Sequence, residues 1–264
     1  MLPDIRGYTR EDFWMRPASE TNRQHHQTIN TKDTQLLDLE GYGPLLLAGA
    51  RLTVYVGVCA MMIAVLLGLI GMWCKFSRSV FVRFLADTYT TVIRGVPELV
   101  LILLVFYGVP TLIQDVSALI GRPVYVSLDP FTAGVATIGF IYGAFSTEVF
   151  RGAYLAVPKG QIEAAQACGM SRALTFRRIV LPQMMRFALP GLGNVWMVLI
   201  KATALISVIQ LPELMRSADI ASRNTRKPFT FFFAASLIYL AITIISNLVQ
   251  QWAEKRAAKG IRRA

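Results

Sequence analysis

An all-α membrane protein with about five spans is the fold class this sequence predicts, and three observations carry it. Apolar residues make up 54% of the 264-residue chain and charged residues only 16%, against about a quarter charged in ordinary soluble domains. The mean hydropathy is +0.48. Uncharged runs of roughly 20 residues recur along the chain, each long enough to cross a hydrocarbon core of about 30 Å. A soluble chain of this composition lacks the polar surface needed to stay dispersed.

The elements follow in order. Residues 1–43 are polar, rich in Thr, Gln, Asn and charge, and without an apolar helical period; they read as a flexible tail rather than a signal peptide, because no apolar core follows a basic cluster. The membrane domain is expected over 44–251 and a basic tail over 252–264. A first span covers residues 45–73. Residues 74–94 are partly amphipathic, with Val80, Phe81, Phe84 and Leu85 on one face, and read as an interfacial helix. A second span covers 96–113, with Pro97 and Pro110 placed at its two ends, where proline is tolerated. Residues 114–130 read as a loop. A third span, 131–150, is rich in Gly and Ala, which lets membrane helices approach closely. Residues 151–187 form a polar insert. The fourth span, about 188–211, opens on Pro190, Gly191 and Gly193; a broken helix exposing backbone to a substrate is the other reading of these residues. Residues 211–228 read as a second polar loop, and a fifth span covers 229–250.

Five spans put the termini on opposite sides. Lys and Arg concentrate in 75–94, in 151–186 and in the C-terminal tail, so the positive-inside rule places these in the cytoplasm and the N-terminus outside. The net charge of +11 does not indicate nucleic acid, since the positives flank apolar runs instead of lining one soluble face. Cys59, Cys74 and Cys168 have no metal or redox spacing. His25 and His26 lie in the polar tail without companion ligands. No GxxxxGK[ST] phosphate loop is present, so this chain has no ATPase motif of its own, and no HExxH or GxSxG marks a hydrolase.

The polar insert is the most informative stretch. Glu163 to Ala167 favours helix, Gly169 can stop it with a left-handed cap, and Ser171 can cap a second helix over 172–180. That second helix is expected to end before Pro182. Two short helices joined by a tight turn result, with Ala164 and Ala165 offering a smooth face to a partner groove. An ordinary cytoplasmic loop is the alternative.

Glu163-Ala164-Ala165, followed by Gly169, Phe176, Ile179, Leu181 and Pro182, resembles the motif of binding-protein-dependent ABC-transporter permeases. Arg94-Gly95-Val96-Pro97, Glu148-Val149-Phe150-Arg151-Gly152, Val157-Pro158 and Gly160-Gln161 resemble the polar amino-acid subfamily, as do Leu189-Pro190, Asn194, Ser207-Val208-Ile209 and Pro228-Phe229. The resemblance covers about residues 42–255 and is strongest to histidine/arginine/ornithine and opine permease subunits. It implies that residues 160–182 are the coupling loop seated in a cytosolic ATPase, with Gly160, Glu163, Ala164, Ala165, Gly169, Leu181 and Pro182 carrying the contact. The implied function is the permease subunit of an ATP-driven importer for polar or basic amino acids in a bacterial inner membrane. The implied partners are a cytosolic ABC ATPase dimer, an identical or sibling permease, an extracytoplasmic solute-binding protein, the amino acid and membrane lipid, with no cofactor. Lys201-Ala202-Thr203 departs from the subfamily's usual Lys-Asp-Thr/Ser.

Four residues are candidates for the substrate path: Arg94, Glu148, Lys201 and Thr203. Glu148 is an acid near the inner end of an apolar span, where such groups are costly and often functional. Contact with a substrate ammonium and an ion pair with Arg151 or Arg94 are both open. Lys201 can bind a substrate carboxylate, pair within the bundle or snorkel. By the residues alone, a self-contained channel or secondary transporter, an ABC permease for another small solute, and a membrane enzyme using Glu148 stand as rivals.

Overall fold

The computed structural model describes residues 39–121 and 124–257. The sequence expectations for residues 1–38, including His25 and His26, and for the last part of the basic tail lie outside the described residues. The described chain is built of helices: α1 Gly43–Lys75, α2 Val80–Gly95, α3 Glu98–Leu119, α4 Pro130–Leu155, α5 Lys159–Ala167, α6 Arg172–Ile209, α7 Leu214–Thr225 and α8 Pro228–Ala257. Five of them, α1, α3, α4, α6 and α8, are long and apolar enough to span a membrane.

The core forms where α1 packs along α4, with α6 against the other side of α4. Small residues set the spacing. A Cβ on Gly68 of α1 would lie 2.6 Å from the Ser146 Cβ of α4, and one on Gly139 of α4 would lie 2.7 Å from Ile63 of α1. Such close approach replaces the hydrophobic drive that lipid does not supply between helices. Val56, Ala60, Ile138, Ile141, Tyr142, Leu199 and Ile206 fill the centre. The amphipathic α2 lies on α1 and α4 through Ala86 and Thr90, while Val80, Phe81, Phe84 and Leu85 face outward. In α3 and α8 most of the apolar surface is exposed.

Four expectations need correction. The second span does not end at Pro110. Helix α3 runs on to Leu119, so the first third of the expected loop is helical. The chain passes Pro110 because one wide turn, Leu104–Gly108, precedes it, with the Val109 N–H bonding five residues back to the Leu104 carbonyl. That π turn accommodates a ring that would otherwise crowd the carbonyl four residues earlier. The same device precedes Pro182: Phe176–Val180 is a π turn, closed by the Leu181 N–H on the Phe176 carbonyl. The helix expected over 172–180 therefore does not stop but continues as α6, which starts at Arg172 rather than near 188. Pro190 lies inside this continuous helix and neither opens nor breaks the span.

The fourth correction concerns 211–228. This stretch is mostly helix α7, with Leu214, Ser217, Ala218, Ala221 and Ser222 buried on one face. Its many charges occupy the opposite face, and they masked the helical period.

Candidate functional site

Three places in the fold carry chemistry. The first is the insert between α4 and α6. Helix α5 starts after Pro158, and Gly169 ends it at φ +78° with its N–H on the Gln166 carbonyl at 2.9 Å. No atom lies within 4 Å of where a Gly169 Cβ would stand, so the glycine serves the backbone conformation alone. The Ser171 hydroxyl accepts from the Leu174 N–H at 3.4 Å and caps α6. Gly160, Glu163 and Ala164 are exposed, while Ala165 is buried. The expected smooth two-alanine face is therefore corrected: neighbours on a helix point about 100° apart, and Ala165 turns inward where α5 packs on the start of α6. Leu181 is partly buried and Pro182 exposed, more than two turns into the long helix.

Beside the insert, α1, α2 and α4 meet in a cluster of charges. The Lys75 ammonium, on a side chain only 10% exposed, lies 2.6 Å from a Glu148 carboxylate oxygen and 2.8 Å from Asp87. The other Glu148 oxygen accepts from Arg151 Nε at 2.8 Å. Of the two partners the sequence offered Glu148, Arg151 is present. Arg94 is not: its guanidinium sits over the Phe145 ring, 5.2 Å from the centroid. Lys75, at the end of the first span, is the partner that sequence reading missed. Its only signal was its position as the first cation at the end of a span.

A cleft of about 530 Å³ is the second place. The run from Ile93 to Leu99 lines it together with Phe145 and Leu205. The bend between α2 and α3 at Val96 and Pro97 turns Arg94 and Glu98 into the same space. Glu98 accepts a hydrogen bond from the Tyr142 hydroxyl at 2.9 Å. A cation and an anion thus share one cleft. Of the four substrate-path candidates, Arg94 alone lines it. Glu148 is bound into the charge cluster, and Lys201 is exposed. Thr203 is buried, its hydroxyl donating to the Ile200 carbonyl at 2.8 Å. Sequence reading passed over Glu98, whose only signal was its place as an acid directly after Pro97.

The third place is at the far end of the bundle. Glu213 is fully buried and accepts four hydrogen bonds: from the N–H groups of Met215 at 2.9 Å and Arg216 at 2.8 Å, from the Tyr239 hydroxyl at 3.0 Å, and from the Thr53 hydroxyl at 3.3 Å. It caps α7 and joins it to α1 and α8. Burial pushes its carboxyl above the ordinary value, against the lowering by its N–H and hydroxyl donors. No sequence signal marked it beyond an acid preceding an amphipathic run.

Residues 43–259 match the family described as binding-protein-dependent transport system inner membrane component. The chain is 45% identical over 226 residues to the histidine/lysine/arginine/ornithine transport system permease protein HisQ of Salmonella typhimurium, covering 86% of this chain and 99% of that one. It is likewise 45% identical over 224 residues to the octopine transport system permease protein OccQ of Rhizobium meliloti, covering 85% and 94%. Among solved structures, an amino acid ABC transporter crystallised with histidines superimposes with a TM-score of 0.73 at 32% identity, over 84% of this chain and 98% of that one. Five apolar helices, a helical insert between the third and fourth of them and this match over most of the length agree: the chain belongs to the binding-protein-dependent transport system inner membrane component family and is a membrane-spanning permease subunit.

Proposed function

We propose that this subunit imports polar or basic amino acids, driven by a cytosolic ABC ATPase dimer that docks on residues 160–182. It pairs with an identical or sibling permease and receives its cargo from an extracytoplasmic solute-binding protein. The observation that carries the proposal is the geometry of the insert. An exposed short helix, α5, is held between the end of one span and the start of another. At 38 residues α6 is longer than the roughly 20 needed to cross the core, so its first turns stand outside the membrane beside α5. A push on α5 is delivered directly into the α4 and α6 helices that build the core. ATPase closure moves α5, the two spans tilt, and the cleft changes the side it opens to.

The Arg94–Glu98 cleft supports the cargo class. A free amino acid carries one carboxylate and one ammonium, and the cleft presents one guanidinium and one carboxylate. Tyr142 orients Glu98, and Phe145 holds Arg94 in place by a cation–π contact. Glu148 takes a different part in this reading: with one oxygen on Lys75 of α1 and the other on Arg151 of its own helix, it ties the inner ends of α1 and α4 together, and Lys75 reaches α2 through Asp87. The C-terminus and the insert lie in the cytoplasm of a bacterial inner-membrane protein, with the N-terminus outside.

The test is Ala164→Arg, which changes the exposed face of α5 without touching the buried Ala165. In proteoliposomes holding the assembled transporter, uptake is expected to fall by at least about tenfold while the ATPase subunits retain or lose hydrolysis independently of substrate. Unchanged uptake with the complex assembled would overturn docking at this site.

A further inference from the structure

An apolar groove of about 480 Å³ lies between α1 and α8, away from the cleft and the insert. We propose that it binds one anionic phospholipid, with the headgroup phosphate on Arg51 and an acyl chain lying against Val54, Val58 and Ile242.

Depth along α1 comes first. Lys75 ends this helix in the charge cluster, and Arg51 stands 24 residues earlier. At 1.5 Å per residue the two are about 36 Å apart along the axis, slightly more than a hydrocarbon core of about 30 Å. When Lys75 is at one interface, Arg51 is at headgroup level on the other. The groove then runs from Leu47 past Arg51 to Val58, an axial distance of about 16 Å, close to the thickness of one leaflet. Ile242 of α8 meets it at the matching depth. Helices α1 and α8 start at the same end, where Tyr42 packs edge-on to Phe231; Val58 and Ile242 each lie about 21–23 Å along from those starts.

Charge selects the occupant. Arg51 is exposed and has no hydrogen-bond or ion-pair partner among the described residues. No acid lines the groove. A protein helix seated here would bury the guanidinium and would have to bring its own carboxylate. A phospholipid brings a phosphate, which the guanidinium fork fits, and a hydrocarbon chain for the strip beneath. Tyr55 supplies a fixed wall. Its ring stacks on Phe131 with centroids 5.5 Å apart and planes 19° from parallel, at the depth where membrane proteins favour aromatic rings. Bulk lipid contacts any exposed apolar helix; a cation above a cleft between two helices distinguishes this position from the rest of the surface.

The intact transporter complex is purified in mild detergent and titrated with phosphatidylglycerol or phosphatidylcholine, and bound lipid is counted by native mass spectrometry. The expected result is retention of phosphatidylglycerol over phosphatidylcholine by at least about tenfold, preserved by Arg51→Lys and lost in Arg51→Gln. Val58→Trp, which fills the groove and leaves the charge, is expected to reduce the retained phosphatidylglycerol as well. Equal retention by wild type and Arg51→Gln overturns the proposal. So does a cysteine at position 54 that crosslinks to a second permease chain, because the occupant is then protein. All these positions face outward, and unchanged thermal melting of the variants separates lost binding from lost folding.

Discussion

Glu148 and Glu213 stand at opposite ends of the same bundle, and each ties its own element to another across the fold, but their surroundings differ in kind. Glu148 is partly exposed and is met by two full positive charges, Lys75 and Arg151. Glu213 is wholly buried and is met only by neutral N–H and hydroxyl donors. A partly exposed ion network can exchange partners at small cost. A dry carboxyl satisfied by backbone and hydroxyls cannot give up one donor without exposing the loss to a low-dielectric surround. The surroundings of Glu148 suit rearrangement, and those of Glu213 suit staying joined.

The largest effect that tests this contrast is Glu213→Ala. It strips the cap from α7 and leaves two N–H groups and the Tyr239 hydroxyl without this acceptor, while Thr53 keeps the Gly49 carbonyl, so a loss on the order of 3 kcal/mol is expected, read as a drop in melting temperature of the purified subunit. A loss below that of the Glu148 variant would break the comparison. Glu148→Ala comes next, at about 2 kcal/mol, because Lys75 keeps Asp87 as a partner. Here transport is expected to fall more than stability does, which uptake and melting measured on one preparation would separate.

Acidity gives the third. Burial holds the Glu213 carboxyl protonated to higher pH than in the unfolded chain. Its contribution to stability is therefore full below the ordinary carboxylate range and is lost as pH rises through the raised folded value, by at most about 1.4 kcal/mol per pH unit. Glu213→Gln is expected to flatten that decline. An unchanged slope in a melting series across pH 4–8 would show that the carboxyl is already ionised in the fold. The smallest effect is Asp87→Asn, within about 0.5 kcal/mol, since Asp87 is 62% exposed.

The spans were legible because twenty apolar residues in a row have few other uses. The insert was legible in its turn chemistry: a glycine needing positive φ and a serine able to cap are local features, and both act where their spacing placed them. What escaped was whatever depends on a partner distant in sequence. Lys75 and Glu148 are 73 positions apart, and nothing in either neighbourhood announces the other. Helix α7 escaped for a second reason: Arg216, Asp219 and Arg223 pair with each other on its outer face, and a count of charges read that solvated face as loop. The prolines misled in the opposite direction. Treated as terminators, Pro110, Pro182 and Pro190 divided helices that the chain carries straight through.

Those wide turns before Pro110 and Pro182 have a consequence for the azimuth of everything beyond them. A π turn holds one residue more than an α turn would, and one residue corresponds to about 100° of rotation around the axis. The Phe176–Val180 turn therefore takes up one residue that would otherwise turn the insert and the rest of α6 out of phase. One further residue inserted there, beyond what the wide turn takes up, would leave the helix long enough to span, yet would swing Met184, Ala188, Leu192 and Leu199 off the core face together, as a key cut one notch out of step.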